Sequence, residues 1–92
     1  MEKEGGEEVK QGFVIEGKTL NVNLLLEYAE KHKISPEEVS VKMKMSRTYL
    51  RNRRNENKNG IYREACTGVV EKAMDAFGFN YDELVIDMPE VR

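Results

Sequence analysis

Between Lys42 and Arg63 the chain carries eight basic side chains, Lys42, Lys44, Arg47, Arg51, Arg53, Arg54, Lys58 and Arg63, against a single acid, Glu56. Within this block Arg47, Thr48, Arg51 and Asn52 share one side of any helix that contains them. A guanidinium donates two parallel hydrogen bonds to a guanine edge in the major groove, and a carboxamide pairs with adenine in the same manner. A threonine offers a hydroxyl and a methyl, suited to a phosphate or a thymine methyl. Those four residues are therefore the expected base readers. Lys42, Lys44, Ser46, Tyr49, Arg54, Asn55 and Lys58 are the expected phosphate contacts around them. Two alternatives stay open: Tyr49 packs on the preceding helix instead, and Arg53 and Arg63 form surface salt bridges instead of meeting phosphate.

Little else in the 92 residues suggests chemistry. His32 stands near a helix C-terminus, where a partly charged imidazole is favourable. The one cysteine, Cys66, excludes an internal disulfide and reads as a small buried hydrophobe. No glycine-rich phosphate loop, nucleophile motif or paired carboxylates occur, so neither catalysis nor a metal or cofactor is expected. Apolar runs such as Leu24-Leu25-Leu26 are too short to span a bilayer, and the acidic start Met1–Glu8 is unlike a signal peptide, so a cytoplasmic location is expected. The net charge of −2 conceals a segregation: residues 42–63 sum to +7 and the remainder to −9. Charge so divided implies a polyanionic partner for the basic block.

The elements that must position these side chains are written in the capping pattern. Ile34-Ser35…Val39, Met45-Ser46…Leu50 and Phe79-Asn80…Leu84 each place a capping residue inside a hydrophobic staple. Glu38 and Glu83 complete two capping boxes, and Pro36 fits the first helical position. Helices are predicted to start after Ser35, Ser46 and Asn80. Val22, Leu25, Leu26, Ala29 and His32 trace a first helix over 22–33. Tyr62, Ala65, Cys66, Val69, Ala73, Ala76 and Phe77 trace a long fourth one, ended by Gly78 in the left-handed region. Asn55–Gly60 reads as a loop, Phe13-Val14-Ile15 as a short strand or arm before a turn at Glu16-Gly17-Lys18, and 1–11 as an acidic disordered tail.

The helices at 36–43 and 47–55, joined only by Lys44-Met45-Ser46, form a predicted helix-turn-helix. Val39, Met43, Met45 and Leu50 make its apolar wedge, and the small Ser40 lets the backbones approach. Here the sequence resembles the phage-repressor and Cro-like, or xenobiotic-response-element, helix-turn-helix family. The core motif lies in Ser35–Leu50, and Val70–Leu84 resembles the family's fourth and fifth helices. The resemblance implies that Arg47 and Thr48 read bases, with Arg51 one turn further on. Ser40 stands for the usual alanine, Lys44 for the turn glycine, Arg53 for an apolar residue and Ala29 for an arginine, and the loop before the fourth helix is about four residues longer.

The reading is an all-α domain of five lambda-repressor-like helices over 12–88 that binds a double-stranded DNA operator. It would be a small bacterial or phage transcriptional regulator without a small-molecule ligand domain. One helix reads too few base pairs for genomic specificity, so a homodimer on a palindromic site is expected, with the last helix and Val85–Val91 as its surface. The alternative is a protein-interaction adaptor, antirepressor or antitoxin-like, that reuses the same corner.

Overall fold

Helices alone do not account for the chain. The computed structural model describes residues 12–89; the expected acidic tail at 1–11 and the last three residues lie outside that range. In chain order the elements are β1 (Val14–Leu20), α1 (Val22–His32), α2 (Pro36–Lys42), α3 (Tyr49–Lys58), β2 (Glu64–Cys66), α4 (Thr67–Phe77), α5 (Tyr81–Leu84) and β3 (Val85–Asp87). Among the described residues five helices pack with a three-stranded antiparallel sheet of order β2-β1-β3, so the expected all-α class is wrong and the architecture is mixed.

The correction has a local origin in β1. Glu16-Gly17-Lys18 does not turn the chain. Gly17 adopts φ 74°, a β-bulge shifts the register between Ile15 and Thr19, and the strand carries on to Leu20. The bulge is held from the neighbouring strand, since the Gly17 amide donates to Glu64 Oε2 at 3.0 Å. Thus β1 pairs twice. Val14 and Ile15 face Cys66 and Ala65 on β2, while Lys18, Thr19 and Leu20 face Asp87, Ile86 and Val85 on β3. A Lys18–Asp87 ion pair closes the second seam.

Both partner strands were expected elsewhere. Ala65 and Cys66 fit the helical row of the fourth helix, yet α4 starts only at Thr67. Val85, Ile86 and Asp87, expected as helix end and dimer surface, form β3. Val85 is buried and one edge of the strand is paired with β1, while Ile86 and Asp87 stay exposed.

The caps explain where helices start and stop. Ser35 Oγ accepts from the Glu38 amide at 3.1 Å, and Glu38 accepts in return from the Ser35 amide at 3.0 Å. At α5, Glu83 Oε1 accepts from the Asn80 amide at 2.9 Å. Gly78, at φ 78°, ends α4. Two other helices end on a left-handed lysine, Lys33 after α1 and Lys44 after α2, at φ 59° and 63°. At Lys44 the bonding is a Schellman motif: its amide donates to Val41 O at 2.8 Å, and that of Met45 to Ser40 O at 2.9 Å.

Between sheet and helices lies one core. Leu25, Val39, Met43, Leu50 and Leu84 are fully enclosed, with Leu20, Val22, Ala29, Ala65, Val69, Val70, Ala73 and Val85 around them. Each large aliphatic side chain so buried stabilises the fold by about 1.5–3 kcal/mol. His32, predicted on the inner row of α1, is exposed and lies against the Tyr28 ring, 4.1 Å between centroids. Among the described residues no helix is long and apolar enough to cross a membrane.

Candidate nucleic-acid interface

The corner formed by α2 and α3 is fixed by a buried hydroxyl. Ser40 Oγ donates to the Pro36 carbonyl at 3.0 Å and accepts from the Leu50 amide at 3.0 Å. One side chain of α2 thereby satisfies an orphan donor in the first turn of α3, a role normally taken by a helix's own N-cap. Thr48 stands at that N-cap position and makes no side-chain capping bond. The expected cap, Ser46, instead accepts through its carbonyl from the Tyr49 amide at 3.0 Å. Residues 43–48 therefore separate the two helices, and α3 begins two residues later than predicted.

At its other end α3 runs longer than predicted. Asn55–Gly60 was expected as a loop, but the helix continues to Lys58. Glu56 is held in this last turn by two arginines. Arg53 Nη2 lies 3.0 Å from its Oε1, and Arg63 donates to both carboxylate oxygens, at 2.7 and 2.8 Å. The Arg63 hydrogen bonds, with smaller help from the Arg53 charge and against partial burial, hold the Glu56 carboxyl below the usual carboxylate range. The same bonds push the Arg63 guanidinium up.

The expected contact residues thus separate into three groups. Arg47, Thr48 and Ser46 are exposed at the start of α3, next to exposed Lys42 and Lys44, and among the described residues no carboxylate pairs with Arg47, Lys42 or Lys44. Asn52, Asn55 and Lys58 are exposed further along, and Asn52 Nδ2 lies 3.5 Å from Thr48 Oγ1. Arg51 is exposed but drawn back, with its Nη2 3.0 Å from Glu37 Oε2 of α2.

The third group has turned inward. Tyr49 is half-buried against the core, and burial pushes its phenol up despite the nearby Arg53 charge. The Arg53 guanidinium lies 5.3 Å from the centre of the Tyr49 ring, so the arginine at the expected apolar site covers an aromatic face and binds an acid. Arg54 is half-buried, and its Nε is enclosed without a hydrogen-bond partner among the described residues.

Sequence reasoning did not identify Glu37 as a competitor for Arg51, nor Ser40 as a clamp. Glu37 was legible as a first-turn acid of α2, but its reach to Arg51 depends on how the two helices cross. Cys66, half-buried, precedes α4 instead of lying on its inner face. Among the described residues no group of three or more histidine, cysteine or acidic side chains is placed to hold a metal ion.

No family model, no curated protein and no solved structure matches this chain.

Proposed function

We propose that the chain binds double-stranded DNA in a sequence-specific manner, as a small transcriptional regulator, with the start of α3 in the major groove. The observation that carries this reading is the exposed pair Arg47 and Thr48, leading into the N-terminus of α3 at a corner where Lys42 and Lys44 also stand unpaired among the described residues. Arg47 is the principal base reader, Thr48 and Asn52 its neighbours. Lys42, Lys44 and Lys58 are the phosphate contacts, with Ser46 and Asn55 as neutral donors. Arg51 takes part by exchanging Glu37 for DNA, which reduces its net contribution. Two copies on adjacent half-sites, roughly 34–36 Å apart, supply the base pairs that one helix cannot read.

Binding to duplexes across a salt series tests the reading. With about four phosphates neutralised, log K falls against log salt with a slope near −3.6. Arg47→Ala relaxes discrimination at one base position by about 1–3 kcal/mol. Absence of affinity for any duplex at low salt overturns the proposal.

A second reading, an adaptor that meets an acidic protein surface, is favoured by one observation: Arg51 already grips a carboxylate across a helix–helix crossing. It predicts no salt-dependent DNA binding.

A further inference from the structure

Beside the α2–α3 connection a cleft of about 240 Å³ opens between that turn and the middle of α4. Its lining holds three lysines, Lys42, Lys44 and Lys72, with one acid, Asp75. At roughly 30 Å³ per water the volume is that of about eight waters, room for a tetrahedral anion with part of its hydration shell. Lys72 is the informative residue. It is partly buried, and its ammonium touches only the Met45 thioether, at 3.8 Å, a weak acceptor. Asp75 lines the same cleft one turn along α4, yet no ion pair joins it to Lys72. A partly buried ammonium that lines the cleft without a carboxylate partner among the described residues is free to take an anionic one.

Opposite it, Lys44 sits in the left-handed region at φ 63°, a conformation that costs a non-glycine residue about 1–2 kcal/mol. A glycine there would relieve that strain and remove one of the three ammoniums of the cleft. With Asp75 counted, the rim carries a net +2.

We propose that this cleft is a phosphodiester site, in which Lys72 holds a non-bridging oxygen from the α4 side and Lys42 and Lys44 close on it from the turn. The proposal rests on the DNA reading above and extends the interface to α4, outside the helix-turn-helix. The choice of a nucleic-acid phosphate follows from position. Lys44 precedes Arg47 by three residues, at most about 11 Å of extended chain. A phosphate held in the cleft therefore belongs to the same half-site as the base that Arg47 reads. Phosphate contacts of this kind set register without carrying sequence information.

The test compares the full chain with Lys72→Gln, Lys72→Arg and Lys31→Gln, the last an exposed lysine on α1. Duplex affinity is measured by fluorescence anisotropy over a salt series, and amide spectra establish folding. Lys72→Gln should make the salt slope shallower by about one with unchanged sequence preference. Lys72→Arg should restore it, and Lys31→Gln should leave it unchanged. Should Lys72→Gln fail to fold, Lys72→Met, which keeps an apolar stem against Met45, replaces it. An unchanged slope in the charge-removed variant, or an equal change in Lys31→Gln, overturns the cleft and leaves the DNA reading standing.

If the parent protein binds no duplex, the DNA reading fails by itself. The cleft is then judged by NMR titration with inorganic phosphate: saturable shifts at Lys42, Lys44 and Lys72, lost in Lys72→Gln, uphold an anion site, and their absence overturns it.

Discussion

The approach to α3 and the helix itself use the same residue type in opposite ways. Just before the helix Arg47 stands in solvent, and among the described residues no acid pairs with it. Within the helix Arg53 folds over Tyr49 and shares Glu56 with Arg63. Between them Arg51 is exposed and yet tied to Glu37. A block of basic sequence is therefore not equivalent to a basic face. Glu56 consumes the charge of Arg53 and Arg63 that composition assigns to DNA, and Glu37 draws on that of Arg51, whereas Arg47 ahead of the helix keeps its own. Tyr49, Leu50 and Arg53 anchor α3 to the body, and Arg47 ahead of it is left in solvent.

The most drastic way to erase this contrast is Leu50→Ala. Leu50 is wholly enclosed and seats α3 on the core, so the variant should lose about 2–5 kcal/mol of stability by urea unfolding. A smaller change separates the two uses of arginine. Arg47→Ala should weaken discrimination at one base by about 1–3 kcal/mol without moving the unfolding midpoint. Arg63→Ala should alter DNA affinity by about twofold or less, since that charge is already spent on Glu56. Equal losses of affinity in the two variants would dissolve the distinction.

Smaller still is Glu37→Gln. It releases Arg51 from its intramolecular partner and should raise duplex affinity by roughly two- to fivefold, the worth of a half-exposed ion pair. The gentlest probe is pH. The Glu56 carboxyl is depressed in the folded state, so its stabilising effect is complete above the unfolded carboxylate value and is lost as pH falls through the folded one. The unfolding midpoint should fall on acidification, and less steeply in Glu56→Gln. Identical acid limbs in the two proteins would remove Glu56 as an anchor.

Much of the helical frame was legible because its signals are local. Ser35 with Glu38, Asn80 with Glu83, and Gly78 act within a few residues of themselves, and the inner row of Val22, Leu25 and Ala29 repeats at helical period. The resemblance set Lys44 where a turn glycine is usual, and Lys44 is one of two non-glycine residues with positive φ among the described residues. The sheet was not. Glu64–Cys66 and Val85–Asp87 are three residues each, too short for a period of two to stand out, and their conformation is imposed by a strand far away in sequence. Asn55–Gly60 has a loop's composition, but the Glu56 ion pairs hold its first four residues helical. For the interface, the identity of the cations could be read from the sequence, whereas their availability could not, because Glu37 and Arg51 meet only through the packing of α2 on α3.

The central place of β1 bears on the order in which the molecule assembles. The α2–α3 corner closes through contacts about ten residues apart, Ser40 with Leu50, whereas β1 must find partners at Ala65 and Val85. Short loops close early and at small entropic cost; long ones close late. The corner therefore gains its shape in the nascent ensemble, and the last zippering event is the insertion of a single ribbon that clasps both β2 and β3. Slippage of that ribbon by one residue would turn Thr19 and Leu20 over, so the Gly17 bulge acts as the ratchet tooth that sets its final position.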